Sequence, residues 1–210
     1  MRALLLPLVA AVLLGAEAPA PGGSLTLDEL LRHMATTRGV VAEFREEKRL
    51  ALLEAPLETR GTLYFAPPDK LARVTRSPAA TRLLLLGDRM RFEDEAGVSE
   101  IDLSANPVAR QFAHNLIVLW RGDRKALESL YRLDFAADGP RWTLLLSPKE
   151  APLRDFIRSI RIAGDGPAIG EMELTESDGD RTKTLFERSE VDHAFGPEEE
   201  RSIFGSEPSR

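Results

Sequence analysis

Apolar and polar positions alternate along most of this chain, and Gly, Pro and Asp cut the alternation at short intervals. The first periodic segment differs from the rest. Leu27, Leu30, Leu31 and Met34 recur at helical spacing and predict a helix starting at Thr26 or Asp28 and ended by Gly39. Thr26 and Glu29 stand at capping-box spacing, where each side chain satisfies a backbone N–H at the helix start. From Val40 the period falls to two. Residues 40–50, 59–65, 71–75, 81–86, 90–93 and 98–103 read as strands, with turns at Pro67-Pro68-Asp69, Gly87-Asp88 and Glu95–Gly97. Asn106 as a cap and Pro107 at the first helical position then open a helix over 108–120, which Gly122 stops. A short helix follows around 123–130. Strands resume at 132–136, 141–146, 156–163, 169–175 and 181–187. This spacing is that of an antiparallel meander. It predicts one α+β domain: a large antiparallel sheet, a helix before it and a helical insertion midway.

The N-terminus changes the picture by giving the domain an address. Met1-Arg2 precede an apolar run from Ala3 to Leu14, and small residues follow at Gly15, Ala16, Ala18 and Ala20. A positive start, a short apolar stretch and a small-residue exit make a secretory signal peptide over residues 1–20. The run is shorter than the roughly 20 apolar residues of a bilayer span. Residues 21–196 form the expected domain, and 197–210 read as a loose, polar, acidic tail that meets the body through Ile203-Phe204. The expected product is soluble, monomeric and exported. With no cysteine in the chain, neither a lipidated N-terminal Cys nor a disulfide scaffold is available. The formal net charge of −6, with both signs mixed throughout, argues against a nucleic-acid partner.

Catalytic and metal chemistry finds little support. His33, His114 and His193 show no metal-ligand spacing, and no Gly-x-Ser-x-Gly elbow occurs. Ser177-Asp178-Gly179-Asp180 lacks the remainder of a calcium loop and reads as a hairpin turn. Glu171 and Glu173 alternate with Met172 and Leu174, as on a solvated strand face. The expectation is a binding protein with no catalytic residues, no metal and no cofactor.

Four segments together resemble the periplasmic outer-membrane lipoprotein carrier family, the LolA-like proteins. They are Phe44-Arg45-Glu46-Glu47-Lys48, Gly61-Thr62-Leu63-Tyr64-Phe65-Ala66-Pro67-Pro68-Asp69-Lys70-Leu71, Trp142-Thr143-Leu144-Leu145-Leu146-Ser147-Pro148, and the hairpin from Ser177 to Phe186. The resemblance implies a strongly curved antiparallel sheet, an unclosed half-barrel, with helices covering its concave face. It also implies a periplasmic carrier in a Gram-negative envelope. Such a carrier shields the acyl chains of a lipoprotein or another lipid, taking them from an inner-membrane donor complex to an outer-membrane acceptor. A lipid-sensing regulatory module of the same fold, acting through a protein partner, is the alternative. On this reading the concave-face candidates are Leu63, Phe65, Leu84, Leu86, Phe92, Ile101, Leu144 and Leu146, and the lid candidates are Phe112, Leu116, Leu119 and Trp120. The same alternation fits a closed core between sheet and helix. The chain departs from the family at Pro67, where an Arg is common, and at Arg73, where an aromatic is favoured. Arg73 is a candidate head-group contact at the cavity mouth, or else one half of a surface salt bridge. Arg73, Arg76, Arg82, Arg89 and Arg91 form a basic strip in the sequence, a second candidate docking feature or simply a solvated face.

Overall fold

The computed structural model describes residues 24–205 apart from 106–108, 111, 112 and 114–116. Eleven strands form one antiparallel sheet: β1 (Val40–Arg49), β2 (Leu57–Ala66), β3 (Lys70–Ser77), β4 (Thr81–Leu86), β5 (Arg89–Asp94), β6 (Gly97–Asp102), β7 (Tyr131–Asp138), β8 (Arg141–Pro148), β9 (Ile157–Asp165), β10 (Ala168–Glu176) and β11 (Arg181–Val191). Their order is β6-β5-β4-β3-β2-β1-β11-β10-β9-β8-β7. The sheet is therefore two meanders, β1–β6 and β7–β11, fused where β1 pairs with β11 from Val40↔Val191 to Arg49↔Arg181. β6 and β7 are its two edges, so the half-barrel is not closed. Bulges at Ala42/Glu43, Arg60/Gly61 and Thr175/Glu176 bend the strands.

That order dictates where the cover goes. The chain leaves β6 at one edge and enters β7 at the other, so the segment between them must cross a face of the sheet. It crosses the concave one: Ala113, Ile117, Val118, Leu119 and Trp120 are buried in the same core as Phe65, Leu71, Leu85, Leu144 and Ile162. The Trp120 ring lies between Phe65, at 6.2 Å, and Phe186, edge-on at 6.1 Å.

Helix α1 (Leu27–Thr36) packs on this face through Leu30, Leu31 and Met34. Its capping box is formed, with the Glu29 N–H donating to Thr26 Oγ1 at 3.2 Å and the Thr26 N–H donating to Glu29 Oε2 at 2.9 Å. The crossing segment passes so close to α1 that a Cβ on Gly122 would lie 2.0 Å from the Leu31 carbonyl oxygen. With φ at +60° as well, only glycine fits there. Helix α2 (Arg124–Leu130) follows, capped by the Asp123 side chain accepting from the Ala126 N–H at 3.0 Å, and Arg124 pairs with Asp28 of α1.

Two elements differ from the sequence expectation. A one-turn helix, α3 (Leu153–Phe156), precedes β9, where a strand was expected to begin at Phe156. The expected loose tail is largely helix α4 (Pro197–Phe204), lying on the convex face. Phe204 is buried there with Ala66, Ala72 and Leu84, and Tyr64, Leu86, Phe195 and Ile203 pack around them. The contact through Ile203 and Phe204 is the expected one, and the helix that carries it was not expected. Lys70 pairs with Glu200 at 2.5 Å, and Arg82 donates to the carbonyls of Ser202 and Ile203 at the helix end, where a cation offsets the helix dipole.

Candidate functional site

In a strand, successive side chains face opposite ways, so paired residues share a face. Phe65↔Leu71, Leu71↔Leu85 and Leu85↔Met90 put these four on the concave side. In the second meander Leu144↔Ile162, Ile162↔Met172, Leu146↔Ile160 and Ile160↔Leu174 do the same. Between this second set and the cover lies an apolar cavity of about 540 Å³. Leu146, Ile157, Ile160, Ile162, Met172 and Leu174 form its floor, with Met90 from the first meander, and Ala109, Ala113 and Leu119 form its roof. Phe156, 57% exposed, lines the cavity where it reaches solvent. Among the described residues Glu176 is the one charged residue in the lining, and Lys48 holds it at 2.8 Å.

Of the candidates from the sequence, Leu146 and Leu119 line this cavity. Leu63, Phe65, Leu144 and Trp120 lie on the same face, in the packed core beside it. Phe92 and Ile101 face the concave side near the β6 edge, 38% and 39% exposed. Phe112 and Leu116 fall outside the described residues. Leu84 and Leu86 require correction: they point to the convex face, under α4. The cause is the uninterrupted run Leu83-Leu84-Leu85-Leu86, which has no alternation from which to read a face, and a shift of one residue reverses every side chain. The floor residues overlooked in the sequence left a signal. Met172 and Leu174 alternate with Glu171 and Glu173, and Glu171 does face outward, pairing with Arg161 and Lys183; the other side of that alternation is the cavity.

Beyond the cavity the concave face turns polar. Arg73 pairs with Glu46 at 2.8 Å and stacks 4.3 Å from the centre of the Phe44 ring. Glu46 also accepts from the Thr184 hydroxyl at 3.0 Å. Arg73 is thus engaged by a carboxylate and lies outside the cavity lining. Phe44 in turn packs against Gly61, where a Cβ would fall 2.1 Å from the Val74 carbonyl oxygen and 2.7 Å from the ring, which explains a glycine in mid-strand. The other four arginines of the strip are partnered too: Arg76 with Thr62, Arg82 with the end of α4, Arg89 with Glu100 and Arg91 with Glu93. They do not make a free basic face. Glu176, Asp178 and Asp180 bring carboxylate oxygens within 4.8 Å of one another at the β10–β11 turn. Lys48 and the Ala51 N–H already satisfy two of the three.

No helix among the described residues is long and apolar enough to cross a membrane. No curated protein matches the chain. Among solved structures, a Pseudomonas aeruginosa MucA/MucB complex shares 12% identity at a TM-score of 0.47, over 82% of this chain and 58% of that one. This chain thus spans a little over half the length of that protein. A LolA superfamily protein from Nitrosomonas europaea shares 7% identity at a TM-score of 0.43, over 79% and 93%. LprF from Mycobacterium bovis shares 11% at 0.35, over 83% and 100%. The sequence profile of the family described as outer membrane lipoprotein carrier protein LolA-like matches residues 18–200. The chain belongs to that outer membrane lipoprotein carrier protein LolA-like family.

Proposed function

We propose that this protein is a periplasmic carrier that shelters the acyl chains of a lipoprotein or lipid in the concave-face cavity and passes them between membranes. The observation that carries the reading is the cavity of about 540 Å³, whose described lining is aliphatic on floor and roof, with Glu176 neutralised by Lys48. The volume lies within the roughly 300–1,000 Å³ of small-molecule sites. Each buried methylene contributes about 0.8 kcal/mol, so about a dozen supply on the order of 10 kcal/mol. Association costs of about 4–15 kcal/mol offset most of that. The net is reversible binding, as a carrier that must also release requires.

The test is uptake of a fluorescent fatty acid, with native mass spectrometry of protein drawn from a Gram-negative periplasm. A co-purifying acylated molecule and saturable uptake are expected. Met172→Trp, which fills the floor, should weaken uptake at least tenfold. No uptake and no bound lipid in the parent protein would overturn the reading.

A further inference from the structure

The exposed large apolar side chains fall into two groups among the described residues, Phe92, Val98 and Ile101 along the β5–β6 edge and a cluster at one end of the sheet. At the β1–β2 turn Leu52 is 97% exposed, with Leu53 and Leu57 about half exposed beside it. The turn is held by its neighbours. The Leu53 N–H donates to the Leu50 carbonyl at 3.0 Å, and the Ala51 N–H donates to Asp180 in the adjacent β10–β11 turn at 2.8 Å. Leu52 is therefore presented by an anchored turn. An exposed apolar cluster of this kind marks a place of contact.

The exposed part of the cavity lining stands at this same end. Glu176 lines the cavity and is tied to Lys48, four residues before Leu52. Phe156, the exposed lining residue, accepts through its carbonyl from the Ser177 N–H of the β10–β11 turn at 3.0 Å. One pair of hairpin turns thus carries both the leucine tip and this exposed lining.

We infer that Leu52 and Leu53 insert into the polar–apolar boundary of a lipid bilayer and set the exposed part of the cavity lining against it. Size favours a bilayer over a protein. A specific protein interface takes about 800 Å² from each partner, far more than a tip of three leucines offers. A bilayer takes apolar side chains singly and needs no matching surface. Charge sets the kind of bilayer contact. Lys48 pairs with Glu176, Arg49 pairs with Glu47, and exposed Glu54, Glu58 and Asp178 outnumber the exposed Arg181 that stands opposite Arg49. The contact is therefore apolar, independent of anionic head groups and insensitive to salt. It goes beyond the carrier reading and does not require a filled cavity.

The absence of cysteine permits a local test. Leu52→Cys in the full chain takes a single environment-sensitive fluorophore at the tip. Asp138→Cys places the same probe on an exposed strand end at the opposite end of the sheet, beside the Gly139 turn. With vesicles of pure phosphatidylcholine, the probe at 52 should brighten several-fold and shift to the blue, and the probe at 138 should not change. Leu53→Ser in the Leu52→Cys background should lower partitioning about tenfold. Raising NaCl to about 0.5 M should leave the response intact. No response at 52, an equal response at 138, or a response that needs anionic lipid and vanishes in salt overturns the inference. Fatty-acid uptake by the same proteins separates the two readings. Loss of uptake with a responsive tip removes the carrier reading alone, and a silent tip with intact uptake removes this inference alone.

Discussion

Arg73 reaches across β2 to Glu46, and the two meet at 2.8 Å on the concave face with only 29% and 21% of their side chains exposed. The pair lies between the limits for exposed and buried ion pairs, so losing one partner should cost about 1–2 kcal/mol. Arg73→Ala should lower stability by that amount in urea unfolding. Adding Glu46→Ala should restore part of it, because the orphaned carboxylate is then gone. Fatty-acid affinity should stay within about twofold in both variants, since neither side chain lines the cavity. A larger affinity loss in Arg73→Ala would return this residue to the role of head-group contact.

Leu84, fully buried under α4, separates stability from binding. Leu84→Ala should destabilise by about 2–5 kcal/mol through the cavity it leaves. The affinity of the folded fraction for fatty acid should not change. A specific affinity loss would contradict the face assignment of β4.

His193 should make the docking of α4 depend on pH. Its ring sits between Glu190 of β11 and Glu199 of α4, each at 3.0 Å, with Phe195 edge-on at 4.7 Å. Burial disfavours the imidazolium, but hydrogen bonds and charge from Glu199 and Glu190 outweigh it and raise the pKa above its ordinary value. The stabilisation is full below the unfolded-state pKa of about 6.5 and is lost as pH rises through the folded-state value. Amide exchange in α4 should therefore be better protected at about pH 6 than at about pH 8, after correction for intrinsic rates. His193→Ala should abolish the difference.

The Tyr131 hydroxyl is buried with no hydrogen-bond partner among the described residues. Burial pushes its pKa up to about 12. Tyr131→Phe keeps the ring and removes an unsatisfied group, so stability should rise by about 1 kcal/mol. Thermal and urea unfolding measure it; a loss of stability would reveal a partner for that hydroxyl.

Local order determined the framework of this protein. Alternation and turn chemistry predict the strand series, and Thr26 with Glu29 marks the start of α1, because these signals act over two to four residues. Gly122 was legible as a stop, although the reason it must be glycine, the carbonyl of Leu31, is a distant contact. The family, too, could be recognised from segments such as Gly61–Leu71. Tertiary structure alone decided the site. No local rule assigns a face to Leu84 when four leucines run together. The tail became α4 because Phe204 found apolar residues on β2, β3 and β4, far away in sequence. The cavity lies over β8–β10 because the segment leaving β6 must cross to β7, and where it crosses depends on the curvature of all eleven strands.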